Sequence, residues 1–249
     1  MKIQVLTSLL LLSYSVVSVS AECVVLLHGL ARTSSSMSEL ENKLIKEGYF
    51  VANIDYPSRE SDIAKLTLSA VTEGLDKCRE TCSTPVNFVT HSLGGILVRQ
   101  YFATHTPENV KRVVMLGPPN KGSEVVDNLK DMPGYELLNG PAGMQLGTGD
   151  GDVPRNLGKV NFELGVIAGT QSINLILSTF LPNPDDGKVS VENTKVEGMC
   201  GFLTLPVTHP FLMKNDKVIT QTIHFLEHGT FTGEYALNYC DKASSGTAL

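Results

Sequence analysis

The sequence has no concentration of positive charge. Its 249 residues carry 20 Lys and Arg against 26 Asp and Glu, which gives a formal net charge of −6 at pH 7. No cluster of basic residues interrupts this acidic balance. Because contacts to phosphates supply most of the affinity for nucleic acids, the composition argues against a nucleic-acid partner.

Long apolar runs are also missing, since no segment beyond the N-terminus is apolar enough to cross a membrane. The N-terminal run itself is interrupted by Ser8, Ser13 and Ser15. It falls short of the roughly 20 residues that a membrane-spanning helix requires, which argues against a retained anchor. We therefore predict no stable membrane span.

The first residues have the pattern of an export signal. Lys2 precedes a short apolar core at 9–12, and Val19-Ser20-Ala21 supplies the small residues that a signal peptidase requires. The pattern predicts a signal peptide over 1–21, with cleavage after Ala21 or, as second choice, one residue earlier. The expected location is therefore the periplasm or the medium. A glutamate rather than a small residue precedes the next cysteine, so no lipid anchor is expected.

The five cysteines lack the spacing of a metal site. No Cys-x-x-Cys pair or paired Cys/His pattern occurs, so no metal is predicted. Cysteines of exported proteins form disulfides, and an odd number leaves one over. Cys78 and Cys82 are predicted to close a small loop, and Cys200 with Cys240 is a second possible pair. Cys23, which opens a strand, is the expected unpaired buried thiol.

Residues 22–249 are predicted to form one domain, because neither an internal repeat nor a linker divides them. Short apolar runs alternate with stretches of helical periodicity, which predicts an α/β fold: a mostly parallel central sheet with helices on both faces. The predicted strands are 23–27, 50–54, 86–89, 110–116, 162–168, 189–191 and 202–207. The first predicted helix follows a capping-box pattern at 36–39, and the second spans 63–78. The third follows Gly95, and the fourth spans 215–228. The glycine-rich segment 134–158 shows no sustained period and is predicted to be an irregular insertion.

One strand runs directly into Thr90-His91-Ser92-Leu93-Gly94-Gly95 and then into a helix. Such a turn projects the serine hydroxyl clear of the sheet and places the helix N-terminus beneath it. Gly94 is expected because helix and strand backbones approach too closely for a side chain. The segment resembles the nucleophile elbow Gly-x-Ser-x-Gly of α/β-hydrolase lipases and esterases, although Thr90 replaces the first glycine. The alternative is an ordinary strand-to-helix turn with a capping serine.

Two further segments carry the same resemblance. Leu27-His28-Gly29-Leu30 resembles the His-Gly element that lipases place beside the nucleophile. The resemblance implies that the backbone N–H groups of Leu30 and Leu93 hold the oxyanion, and that His28 braces the loop. The segment 117–123 is similar to a loop of bacterial triacylglycerol lipases and is expected to be scaffold near the substrate. The three matches occur in order and together are more specific than any one.

A serine nucleophile needs a histidine base and an orienting carboxylate. In α/β-hydrolases the chain order is serine, acid, histidine. Only one histidine after Ser92 lies between a predicted strand and a helix, and it is our candidate base, His209. The other downstream histidines are His105, His224 and His228.

The acid is predicted in Pro184-Asp185-Asp186-Gly187-Lys188-Val189. This segment resembles the Asp-Gly-x-Val run that carries the acid in the family, which favours Asp186 over its neighbour Asp185. The alternative is a solvated Asp-Gly turn. Asp150 and Asp152 lie in the glycine-rich insertion, where defined placement is not expected.

The resemblance implies an exported carboxylic-ester hydrolase with Ser92, Asp186 and His209 as its triad, acting on a small-molecule or lipid ester without cofactor or metal. The same residues serve an acyltransferase, thioesterase or amidase, and a non-catalytic binding protein of the same fold is the more distant alternative. Glycines scattered through 131–158 disfavour a long lid helix. We therefore expect an esterase without strong interfacial activation.

Overall fold

The computed structural model describes residues 21–81, 85–106 and 109–240. The predicted signal peptide lies outside the described residues apart from Ala21, and so does Cys82. In the part of the chain that the structure describes, no helix has the length and apolar character needed to cross a membrane.

A seven-stranded sheet forms the centre of the fold, in the order β2-β1-β3-β4-β5-β6-β7. Six strands are parallel, and β7 runs antiparallel to β6 at one edge. The strands are β1 Cys23–Leu27, β2 Phe50–Ile54, β3 Val86–His91, β4 Val110–Leu116, β5 Leu164–Gly169, β6 Gly201–Leu205 and β7 Ala236–Asn238. The predicted α/β architecture is confirmed.

Helices fill the connections between the strands. They are α1 Ser38–Lys46, α2 Ile63–Thr81, α3 Leu93–Phe102, α4 Glu124–Leu129, α5 Tyr135–Met144, α6 Val153–Asn156, α7 Leu175–Ser178, α8 Val191–Thr194 and α9 Asp216–His228. Two 3-10 helices occupy Ser34–Met37 and His209–Lys214. α9 begins where the Asn215 side chain accepts two backbone N–H groups, and it ends at Gly229, whose φ is 72°.

Both faces of the sheet are covered, which explains the unbroken apolar sequence of β1. Val25 and Phe88 face one layer, in which α2 and α3 pack against the sheet. Val24, just before Val25, and Val89, just after Phe88, point to the opposite face of the sheet. They contact the other layer, which contains α1 and α9. Because successive side chains of a strand point to opposite faces, a strand between two helical layers needs apolar residues at every position.

Three local predictions were wrong. Residues 189–191 do not form a strand: Asp185 and Ser190 make an isolated β-bridge, and α8 begins directly after it. The segment 134–158 is not irregular, because it contains α5 and α6. The helix expected from the capping box at 36–39 begins at Ser38, after a 3-10 turn, and has no side-chain cap. The expectation of no long lid helix is confirmed, since α5 spans ten residues and is interrupted at Gly140.

The disulfide prediction was half right. Cys200 is bonded to Cys240, as expected, but Cys78 is bonded to Cys23 and not to Cys82. The bonded residues Cys23 and Cys78 are fully buried, with Cα atoms 5.7 Å apart. α2 packs on β1 and brings Cys78 over the start of that strand. Cys23 is therefore a cross-link between strand and helix rather than a free thiol.

We predict that the Cys23–Cys78 bond contributes strongly to stability, because it closes a loop of 55 positions. Loss of such a loop constraint costs about 4 kcal/mol in the chain-entropy account. The double variant Cys23→Ala/Cys78→Ala should lower the free energy of unfolding in urea by that order. Peptide mapping of the unreduced wild-type protein should recover the Cys23–Cys78 cross-link, and a Cys78–Cys82 peptide would contradict the pairing.

Candidate active site

The candidate site lies at the carboxyl edge of the sheet. The chain moves from β1 outward to β2 and then crosses back to β3 on the opposite side of β1. The strand order therefore reverses between β1 and β3, and in open α/β sheets ligands bind at the carboxyl ends of strands at such a point. The loop after β1 carries Leu30, and the turn after β3 carries Ser92.

Ser92 connects β3 to α3 in a backbone conformation that serine seldom adopts. Its φ is 52° and its ψ is −118°. Such conformations persist where the surrounding structure imposes them, commonly at functional sites. The expected need for glycine at 94 is confirmed, because a Cβ there would lie 2.6 Å from the carbonyl oxygen of Leu27 and 3.0 Å from that of His28.

Thr90 fits this turn because Gly95 makes room for it. The threonine side chain is buried beneath the turn. A Cβ at Gly95 would lie 3.2 Å from the Thr90 hydroxyl oxygen and 3.1 Å from the sulfur of Met115. The second glycine of the Gly-Gly pair thus compensates for the missing glycine at position 90.

The structure joins His209 to Asp186. His209 follows β6, and its Nδ1 lies 2.7 Å from Oδ2 of Asp186. The backbone N–H of His209 also donates to the carbonyl oxygen of Asp186, at 2.9 Å. The other carboxylate oxygen of Asp186 accepts the N–H groups of Lys188 and Val189, at 3.0 and 2.9 Å. The Asp186 side chain is fully buried, and hydrogen bonds hold both of its carboxylate oxygens in place. Its negative charge would stabilise a protonated imidazole on His209.

Asp185 points elsewhere. Its Oδ1 accepts the N–H of Gly187 at 2.7 Å and the hydroxyl of Ser178 at 2.8 Å. Its carboxylate therefore ties the turn to α7. Of the two neighbouring acids, Asp186 is the one that contacts the imidazole.

His28 braces the loop after β1, as the sequence predicts. The ring is fully buried and stacks on Tyr56 with ring centroids 4.0 Å apart. The Tyr56 hydroxyl donates to the carbonyl oxygen of His28. Burial lowers the pKa of His28, so its ring stays neutral at pH 7.

The two backbone N–H groups predicted to hold an oxyanion belong to the loop after β1 and to the start of α3. Leu93 is the first residue of α3, where a backbone N–H has no acceptor within the helix. Leu30 borders the cavity in front of Ser92. Among the described residues, the Leu30 N–H donates to no backbone carbonyl. The Leu30 N–H thus borders the space that an acceptor would enter.

His91 is a part of the site that the sequence analysis did not single out. It is buried directly before Ser92, and its Nε2 donates to the carbonyl oxygen of His209 across 3.1 Å. Burial and the neighbouring His209 hold the pKa of His91 well below its usual value, so it is neutral. The only sequence signal for this role is its place beside the serine.

The loop after β4 is scaffold, as expected. The hydroxyl of Ser123 donates to the carbonyl oxygen of Lys188 at 2.6 Å, which ties this loop to the acid-bearing turn. Arg99 of α3 donates to the carbonyl oxygen of Asn120 at 2.7 Å. Burial lowers the pKa of Arg99 to about 10, and the guanidinium remains charged.

A cavity of about 400 Å³ opens onto Ser92 and His209. Most of its lining is apolar and comes from the loops around the carboxyl edge of the sheet. The apolar lining residues are Leu30, Ala31, Pro119, Val125, Val126, Leu146, Ile173, Leu177, Val189 and Pro210. Such a cavity suits a mostly apolar small molecule next to Ser92.

The comparisons with known structures show the fold. Bacillus licheniformis lipase BlEst2 in its mature form superposes with a TM-score of 0.67 at 21% identity, over 84% of this chain and 93% of the lipase. The esterase EaEST of Exiguobacterium antarcticum gives a TM-score of 0.56 at 16% identity, over 84% and 92%. An extracellular α/β-hydrolase from a Paenibacillus species gives 0.54 at 14%, over 82% and 98%. No curated protein matches the chain significantly.

The family model for palmitoyl protein thioesterase matches residues 23–148. The match begins at β1 and includes Leu30, the elbow with Ser92, and α5. It ends before Asp186 and His209, which the fold brings to the same cavity. Since the match covers just over half of the sequence, the chain belongs to the palmitoyl protein thioesterase family, with an α/β-hydrolase fold.

Proposed function

We propose that this protein is an exported carboxylic-ester hydrolase that acts through Ser92, His209 and Asp186. The family is one of ester-hydrolysing enzymes. The observation that carries the proposal is the hydrogen bond between His209 Nδ1 and Asp186 Oδ2, on a cavity that also exposes the conformationally constrained Ser92. A binding protein of the same fold needs neither feature.

In the proposed reaction, the hydroxyl of Ser92 attacks the acyl carbonyl carbon while Nε2 of His209 takes the proton. Asp186 holds Nδ1–H, which keeps Nε2 free to accept and stabilises the imidazolium. His209 then returns the proton to the leaving alcohol, and an acyl-enzyme remains on Ser92. Water, activated by the same histidine, attacks this ester and releases the acid.

The oxyanion of each tetrahedral intermediate is assigned to the N–H groups of Leu30 and Leu93. These are fixed backbone dipoles, so they require no reorganisation when charge develops on the carbonyl oxygen. The N-terminal end of α3 adds a favourable field at the same place. Both groups lie on segments that the neighbouring contacts of His28 and Gly94 hold in place.

A thioesterase is the second candidate, and the family match favours it. Both reactions use the same residues, and they differ in the leaving atom. The test compares kcat/KM for the O-butyryl ester of N-acetylethanolamine with that for the S-butyryl thioester of N-acetylcysteamine, which differ only in the leaving atom. Faster oxygen-ester cleavage supports the proposal, and a strong preference for the thioester would assign the chain to the second candidate.

Export is proposed for residues 1–21 as a signal peptide, with periplasm or medium as the destination. The two disulfides support an extracytoplasmic location, because cytosolic thiols are kept reduced. The mature protein recovered outside the cytoplasm should begin at Glu22. An intact mass that retains the first 21 residues would contradict this.

We predict that hydrolysis saturates smoothly as a poorly soluble ester is raised through its solubility limit. α5 is the segment best placed to act as a lid, but Gly140 packs directly on the backbone of Arg59. The side chain of Gln145, just after the helix, accepts the N–H of Ile63 at 2.8 Å. These contacts dock α5 against the body of the protein. Initial rates should be followed for tributyrin across its solubility limit, where an abrupt rise would reveal a lid that opens on lipid.

A further inference from the structure

The accessible charges of the catalytic cavity are all positive. Among the described residues that line it, Arg32 and Lys188 are cationic and exposed. Asp186 is the only acidic residue among the described residues of the lining, and its carboxylate is buried and hydrogen-bonded to His209. The cavity mouth is therefore cationic in a chain whose formal net charge is −6.

Neither cation forms an ion pair with a carboxylate of the described residues. The two side chains are close enough to affect each other. Desolvation lowers the pKa of Lys188 and the charge of Arg32 lowers it further, against the opposite effect of Asp186. Two like charges that face a common space without a partner destabilise each other until an anion enters.

Both cations stand on the segments that carry the proposed machinery. Arg32 is two residues beyond Leu30, whose N–H is assigned to the oxyanion, and Lys188 is two residues beyond Asp186. The backbone of Lys188 is fixed at both ends: its N–H donates to Asp186, and its carbonyl oxygen accepts the hydroxyl of Ser123. On the other loop, the N–H of Ala31 donates to the hydroxyl of Ser58 at 3.0 Å. Hydrogen bonds thus fix the backbone beside Arg32 and at Lys188, close in sequence to Leu30 and Asp186.

We propose that Arg32 and Lys188 form a subsite for an anionic group, a carboxylate or a phosphate, carried by the ester substrate on its acyl or its alcohol part. The inference rests on the proposed function and narrows its substrate class to charged esters. The guanidinium of Arg32 offers paired donors that match a carboxylate or phosphate, and Lys188 adds a flexible point charge. The apolar lining takes the remaining, uncharged part of the substrate.

Three matched pairs of esters test the proposal. The p-nitrophenyl monoester of glutaric acid against p-nitrophenyl pentanoate places a carboxylate on the acyl side. 4-(Butyryloxy)benzoate against 4-(butyryloxy)benzamide places it on the alcohol side. 1-Butyrylglycerol 3-phosphate against 1-monobutyrin replaces the carboxylate by a phosphate. We expect the wild-type protein to prefer the anionic member of at least one pair by about tenfold in kcat/KM, and to lose this preference as salt is raised to 1 M.

The charge-removing variant Arg32→Gln/Lys188→Gln should abolish that preference. The loss should appear in KM for the anionic ester, because the contact is made with the bound substrate and the transition state alike. The matched control is Arg59→Gln/Lys214→Gln, which removes two exposed cations from the neighbouring groove outside the catalytic cavity. This control should keep the anionic-to-neutral ratio of the wild-type protein.

The outcomes separate this inference from the function on which it rests. Hydrolysis of the neutral esters without any anionic preference would overturn the subsite and leave the proposed function intact. An equal fall in both variants would show a general field of the protein surface and would also overturn it. A wild-type protein that hydrolyses no ester of any pair would overturn the proposed function and the subsite together.

Discussion

Replacing Asp186 with asparagine is expected to lower turnover by on the order of 10⁴, because the orienting carboxylate is lost while its shape is kept. The amide oxygen can still accept the N–H groups of Lys188 and Val189, so the turn should remain folded. The amide nitrogen would then face Nδ1 of His209 as a donor. His209 would have to carry its proton on Nε2, where it cannot accept the proton of Ser92. The measurement is kcat for p-nitrophenyl butyrate.

Asp185→Asn is the matched control for this substitution. The amide oxygen can accept both the N–H of Gly187 and the hydroxyl of Ser178, as the carboxylate does. Turnover should change by no more than a few-fold. If Asp185→Asn were the more damaging variant, with both proteins folded by circular dichroism, the assignment of the acid to Asp186 would be wrong.

Removing the hydroxyl of Ser92 should have the larger effect, on the order of 10⁶ in kcat for Ser92→Ala. The residual rate above water comes from the oxyanion donors and from substrate binding, which the substitution leaves in place. Ser172→Ala is the control, since this serine is not among the described residues that line the catalytic cavity and its hydroxyl donates to the carbonyl oxygen of Asn174. If Ser92→Ala kept the turnover of the wild-type protein in independent preparations, Ser92 would not be the nucleophile.

The central sheet was predictable because its cause is local in the sequence. A strand between two helical layers needs an unbroken apolar run, as β1 has. The elbow was predictable for the same reason: a serine between a buried strand and a pair of glycines has few other conformations. At Gly94 the backbone of the neighbouring loop leaves no room for a side chain.

The choice between Asp185 and Asp186 depended on information that the sequence holds less directly. Asp185 and Asp186 are the same type of residue, and both are buried. They differ in direction, because the turn at Gly187 gives the N–H groups of Lys188 and Val189 to Asp186 and that of Gly187 to Asp185. Resemblance to the family favoured Asp186, and the geometry agrees with that preference.

The partner of Cys78 and the last strand were not predictable from the sequence. Spacing favours Cys78 with Cys82, but the pairing depends on how α2 packs across β1, which brings Cys23 within reach. β7 has only three residues and no apolar alternation, and it pairs with β6 at the edge of the sheet. The Cys200–Cys240 bond closes one end of this pairing, beside Gly201 and Asn238.

Covalent labelling with a fluorophosphonate probe tests the central claim most directly. Such probes react with a serine only when a base has activated it, so labelling reports the machinery without knowledge of the natural substrate. The account predicts one modified residue in the intact protein, located at Ser92 by peptide mass spectrometry and absent from Ser92→Ala. A folded wild-type protein that takes up no probe, or takes it up at another serine, would contradict it.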